Sequence, residues 1–516
     1  MKPALLGLAV NPALPSRLVD RLIDAADEEL ACELALRPGL NRAQVRTLAA
    51  RSEAAAVQLA HCGRLQPEDV NPASQPLAAL ALLDEGAGLS QWARYFAADP
   101  RVEHREKLAA CPGIPPDVAR SLADDPDVRV VAELARWAPT HLAAELAPHP
   151  HAEVRCAVAS NEAAPPKLLA ALLTGEGIPP VELCRVCDQE RVPFAHAPDC
   201  PRVDCRLLPG DACDGSHQSA VHDVQWQALH NPATPAPAVA RFVDHPSALL
   251  RELVAAREGL PQQAYARLAG DPMPGVRAEL AKNPSIDEPL VRRLAEDRGH
   301  DVQRSLAHHP DLPLDVLAQL ARSTKLGSPL LPRIAAATPA EVAGLATAAD
   351  PTLRMLAALR RDLPDAICDT LARDCDAKVL KAIAPHPGLS EAQLLAMIDR
   401  HGPRVAAKAA TNPDATAIVL EQLTRQPASA RKAFREIARH PNTSLPALLA
   451  CLADPQARPI AAARPELPTS VLISLLADEH WQVATAAAAN PSLPANAMSA
   501  LLPAAADRSS SSGCQQ

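Results

Sequence analysis

Apolar residues along the chain fall in short helical registers that proline cuts at regular intervals. Between positions 276 and 322 one pattern is written twice: VRAELAKNPSIDEPLVRRLAEDRGHD is followed by VQRSLAHHPDLPLDVLAQLAR. Val276, Leu280 and Ala281 stand at i, i+4 and i+5, which places them on one face of a short helix. Asn283-Pro284 stops that helix, because the residue before a proline is driven out of the α region. Leu290, Leu294 and Ala295 then supply a second apolar helical face. The Asp-Pro pairs that often follow, at Asp99-Pro100, Asp125-Pro126, Asp271-Pro272 and Asp454-Pro455, read as an N-cap with proline at the first helical position of the next unit.

The proline that closes the first half recurs at Pro12, Pro38, Pro112, Pro139, Pro232, Pro284, Pro310, Pro387, Pro413, Pro441, Pro465 and Pro491. Most gaps are close to a period of about 26 residues or a multiple of it. Helices this short are marginal in isolation, so each must bury its apolar face against both neighbours. The expected fold is therefore all-α, a solenoid of repeats. Ala54 to Val70 lacks the helix-ending proline, and Ser323 to Ala349 is degenerate. The opening MKPALLGLAVNP is short and apolar like a signal peptide, yet Leu8, Ala9, Asn11 and Pro12 fall in register with the repeat, so it reads as the first unit.

The spacing V-R-x-x-(L/V)-A-x-(N/H)-P, then L-L-x-x-L-A and Asp-Pro, resembles the leucine-rich repeat variant family. The resemblance implies a right-handed α-solenoid whose units pair an α-helix with a shorter 3-10 helix. HEAT-type repeats are the competing α-solenoid, but their period of about 40 to 47 residues is too long.

Composition narrows the function. Aromatic residues are 2% and hydrophobic residues 48%, so the core must be thin and built from Ala, Leu and Val. The 53 prolines act as punctuation, since disordered chains lack the aliphatic residues found throughout this one. Lys+Arg 51 against Asp+Glu 60 gives a formal net charge of -9, which argues against nucleic acid as the partner. No apolar run reaches the length of about 18 residues that a membrane span needs.

The repeat stops between Thr174 and His222, where the chain reads LCRVCDQERVPFAHAPDCPRVDCRLLPGDACDGSH from Leu183. The expected organisation is thus repeats over 1–173, a Cys-rich insert over 174–222, repeats over 223–505 and a polar, disordered tail over 506–516. Five of the 13 cysteines crowd into the insert and the others are scattered singly, a distribution expected of a cytoplasmic protein with one metal site. Cys184 and Cys187 form a C-x2-C pair, which lets two thiolates on a tight turn reach one ion. Cys200 and Cys205 supply a second pair, with Cys213 and His217 as the next ligands. This spacing suits a structural zinc ribbon, and Cys184, Cys187, His196 and Cys200 would suit a Cys₃His knuckle. Iron-sulfur clusters use the same donors. The leucine-rich repeat variant resemblance implies iron, because some members carry a Cys-rich module that holds a [4Fe-4S] cluster. Cys213-Asp214-Gly215-Ser216-His217 is similar to the CDGSH iron-sulfur motif, though its upstream C-x-C pair is missing. The expected cofactor is an iron-sulfur cluster of the [4Fe-4S] kind, with structural zinc as the alternative.

A basic position recurs seven residues before the helix-ending step, at Arg155, Arg251, Arg277, Arg354 and Arg458, with Gln225 and Gln303 in the same slot. Stacked units align these into a ladder that either binds an acidic partner or pairs with Asp and carbonyl groups of the adjoining turn. No G-x-G-x-x-G, Walker A loop, H-E-x-x-H or G-x-S-x-G occurs. The expected function is a non-catalytic repeat scaffold that binds a protein partner and carries the metal module. The alternative is a redox or electron-transfer accessory protein whose cluster carries the function.

Overall fold

The computed structural model describes residues 2–185, 187, 217–427 and 431–503. Among them the regular structure is helical, and the sole bridge of β type joins His151 to Leu183. The chain divides into two compact units, one made of Met1–Leu82 with Thr338–Gln516 and the other of Leu83–Ala337. Within each, a repeat is a helix of about two turns followed by a second, slightly shorter one. Pro274–Lys282 and Glu288–Ala295 are an example. Leu280, Leu294 and Leu306 are fully buried. The second element is α-helical rather than 3-10: Asp287 accepts from Leu290 N–H and a proline sits in the first turn, which is enough to nucleate an α-turn. Among the described residues the 3-10 form holds only at Pro67–Asp69, inside one of the degenerate units.

First helices stack on first helices. In the second unit of the molecule the order is Val102–Ala110, Val128–Trp137, Ala152–Ser160, Gln218–His230, Ala248–Ala256, Pro274–Lys282 and His300–Leu306. The stack therefore resumes at residue 218 and crosses the insert without a gap.

Each first helix leaves its last carbonyls without helical donors, and in most repeats a proline ends it. The asparagine before the proline of the next repeat supplies them. Asn283 Nδ2 donates to Ala255 O and Arg257 O, both at 2.8 Å, while its Oδ1 accepts from Ser285 N–H at 2.9 Å. The same three bonds recur at Asn161, Asn412 and Asn490. Arginine takes the slot at Arg37, Arg64 and Arg464, reaching the two equivalent carbonyls with its guanidinium. Arg64 thus explains how the unit without a helix-ending proline stays in register. Histidine takes the slot at His440, whose Nδ1 accepts from Asn442 N–H and whose Nε2 donates to Asn412 O at 2.8 Å.

The arginine ladder is a second staple. Arg105, Arg251, Arg277, Arg354 and Arg458 each pair with the aspartate twenty residues on, at 2.6 to 2.7 Å. Arg251 and Arg277 also donate to carbonyls at the start of their own turn. These side chains are therefore spent inside the stack, and the aspartate hydrogen bond raises the pKa of Arg251, Arg277 and Arg354 further. The aspartates of the Asp-Pro pairs are not N-caps. Asp271 stands three residues before helix Pro274–Lys282, and its Oδ1 accepts from Met273 N–H in a turn. Asp125 does the same with Asp127 N–H. A true Asp N-cap followed by proline occurs at Asp350-Pro351.

In the first unit the stack runs from Pro351–Ala358 through Trp481–Ala489 and then continues into Lys2–Val10, Glu28–Leu36 and Glu53–His61. Asn11 Nδ2 donates to Ala488 O and Asn490 O, both at 2.8 Å, so the N-terminal repeat takes the position after the last one.

Two measurements test these staples. Arg251→Met leaves Asp271 buried and unpaired, and is expected to cost about 3 kcal/mol in a urea denaturation; a cost indistinguishable from zero would contradict the staple. His309 occupies the asparagine slot with Nδ1 accepting from Asp311 N–H at 3.2 Å, and burial lowers its pKa. The unfolded chain therefore binds this proton more readily, and stability should fall as pH drops below about 6.5. His309→Asn, which keeps the ladder without a titrating group, should make the denaturation midpoint less sensitive to pH between 8 and 5.5.

Candidate metal centre

The insert leaves the stack through Gly175, whose φ of 75° closes helix Pro166–Thr174 in the left-handed region that glycine reaches without strain. Its first residues are then tied back to the repeats. Arg155 lacks the usual aspartate twenty residues on, and its guanidinium donates instead to Pro179 O at 2.6 Å and Pro180 O at 3.1 Å. Glu182 and Leu183 N–H both donate to Pro150 O, and Ala152 N–H donates to Leu183 O. The residue after Leu183 is Cys184. Its position is thus set by the repeat beneath it.

Cys184 is buried and Cys187 exposed on the same turn. Their sulfurs lie 3.6 Å apart, and Cys184 N–H points at Cys187 Sγ at 3.2 Å, a donor that stabilises a thiolate. His217 closes the insert. It is the N-cap of Gln218–His230 and the one described non-glycine residue with positive φ, at 54°. That backbone turns the buried ring toward the turn, with Nδ1 3.8 Å from Cys187 Sγ. The three ligand atoms of Cys184, Cys187 and His217 all lie within 4.8 Å of one another and could hold a metal ion.

Two soft sulfurs and an imidazole nitrogen are the donors of a tetrahedral site. Ligand bonds of about 2.3 Å at tetrahedral angles separate two sulfurs by about 3.8 Å, close to the spacing found here. The set joins the first and last residues of the insert, so an ion bound there would close its base. Of the ligands expected from sequence, Cys184, Cys187 and His217 are brought together. Cys200, Cys205, Cys213 and His196 lie outside the described residues. Sequence reasoning did not find Arg155 and Leu183 as the residues that hold the turn in place. The signal for Arg155 was present, since its ladder partner is missing where the insert begins.

Burial pushes Cys111, Cys156 and Cys451 up to about 12 and raises Cys368 as well. Cys368 packs against His386, with Sγ 3.5 Å from Nδ1. A thiol held protonated there is core material rather than a nucleophile. Among the described residues no helix is long and apolar enough to cross a membrane.

Compared with known proteins, the chain matches no family model and no curated protein.

The geometry predicts separable metal binding and folding. Cys184→Ser should remove the bound metal while the helical circular dichroism signal stays within about a tenth of wild type, because the stack crosses the insert on its own contacts. Loss of most helicity would show instead that the ion holds the repeats together.

Proposed function

We propose that this protein is a non-catalytic helical repeat scaffold of the leucine-rich repeat variant kind, with one tetrahedral metal ion, zinc by its donors, at the base of the insert. The observation that carries the metal reading is the convergence of Cys184, Cys187 and His217, with sulfurs 3.6 Å apart. Two ligands of a single ion sit at that spacing, whereas the cubane of a [4Fe-4S] cluster takes each thiolate on a separate iron and holds them further apart. The sequence offers Cys200, Cys205, Cys213 and His196 as candidates for a fourth ligand, all outside the described residues. A bound cation depresses the pKa of its thiolates, so the site forms at neutral pH.

The scaffold reading draws on the surface. The arginines are engaged within the stack, which turns attention from an acidic partner to an apolar one. Ile418, Leu449 and Ile473 stand 59%, 42% and 49% exposed on three successive second helices, Ala417–Thr424, Leu445–Cys451 and Thr469–Leu475. Apolar side chains repeated along neighbouring units suit a protein partner laid across them.

Metal analysis with a visible absorption spectrum of anaerobically purified protein is the decisive experiment. One zinc per chain and a colourless solution are expected. Broad absorption near about 400 nm would replace zinc by a cluster and favour the electron-transfer reading. Protein free of both metals would overturn the metal reading altogether.

A further inference from the structure

The contact between Lys2–Val10 and Trp481–Ala489 joins residues that no peptide bond connects, yet it makes the same three asparagine hydrogen bonds as the covalent repeats. Asn11 donates to Ala488 O and Asn490 O as Asn490 donates to Ala462 O and Arg464 O one repeat earlier. Asn11 Oδ1 accepts from Ala13 N–H, the third bond of the ladder. Ala4, Leu8 and Ala9 are buried in the contact, opposite the buried faces of Val483, Ala484, Ala487 and Ala488. Thr485 Oγ1 donates to Pro3 O at 3.0 Å, and Arg21 ties the outside of the joint through Ser499 Oγ and Pro503 O.

Gly7 gives the joint its selectivity. A Cβ there would overlap the carbonyl oxygen of Thr485 and come within 2.8 Å of Ala488 Cβ. The helices approach this closely because residue 7 has no side chain. The acceptor face thus reads a short helix with glycine four positions before an Asn-Pro step.

We infer that the face of Trp481–Ala489 is a recognition site for a helix ending in Asn-Pro, and that the N-terminal segment of a second copy of this chain can fill it. The argument is continuity: the site accepts that segment already, by hydrogen bonds and close packing that do not depend on which chain delivers it. The chain's own segment holds the site through its high effective concentration. Exchange between copies then requires that the resident segment be displaced.

The test opens the site in the full-length chain. Gly7→Leu should unseat the resident helix, and a fluorescent peptide of residues 2–15 should then bind the variant about ten-fold or more tighter than it binds wild type, where the tethered segment competes. The same peptide carrying Gly7→Leu should not bind. A helical Gly7→Leu chain that binds no better than wild type would overturn the inference, as would a substituted peptide that binds equally well. If Gly7→Leu fails to fold, Asn11→Ala removes three hydrogen bonds, two of them across the joint, without adding bulk and is judged by the same criteria. For the second copy itself, Ala488→Leu closes the acceptor face but leaves the N-terminal segment intact. A mixture of Ala488→Leu and Gly7→Leu chains should show twice the monomer mass by light scattering, with each alone monomeric. A mixture that stays monomeric, with both variants helical, would refute exchange between copies.

Discussion

Carbonyl groups freed at the end of each first helix set the terms for the whole fold. In most repeats proline forces the ending, and buried carbonyls without donors would cost more than a short helix gains. The bridging amide of Asn283 and its equivalents answers two of them at once and fixes the spacing between units. The slot needs a donor of suitable reach rather than one residue type, which is why Arg37 and His440 serve as well. A core of small aliphatic residues with few rings offers little shape to define register. The polar ladder supplies that definition.

The Arg-Asp staples repeat the same logic on the other side of the turn, and their interruption marks the insert. Arg155 turns to the carbonyls of Pro179 and Pro180, so the chain leaving the stack is gripped by the residue that would otherwise have bound the next repeat. Beyond the insert, Asn231 reaches Ala159 O and Asn161 O across 72 and 70 residues as though nothing intervened. Cys184, Cys187 and His217, which could hold a metal ion, sit between these two anchors. Repeat and insert are therefore coupled at the insert's first and last residues, and the stack itself is complete without it.

Much of this was legible in the residues. The Asn-Pro and His-Pro steps gave the period, the apolar registers gave two helices per unit, and C-x2-C with a later histidine gave three converging ligands. What was not legible follows from geometry that spacing does not encode. An aspartate before proline can cap a helix or close a turn, and Asp271 does the second because the helix starts two residues after the proline. The ladder arginines are compatible with a binding stripe until the aspartate twenty residues on is seen to face them. The joint between the first and last repeats had a visible signature, the shared Asn-Pro-x-Leu-Pro at Asn11 and Asn490, but matching motifs show likeness and not adjacency.

That joint has a consequence in time. Asn11 is made before its acceptors, and Ala488 and Asn490 follow 477 and 479 residues later. At synthesis rates of about 5 to 20 residues per second, the delay is about 25 to 95 s. Contacts so distant in sequence are also slow to form once both partners exist. The order of repeats in space differs from the order in which the ribosome delivers them. A nascent chain therefore holds the Gly7 face of Lys2–Val10 without its Thr485 and Ala488 partners until the far repeat has been made.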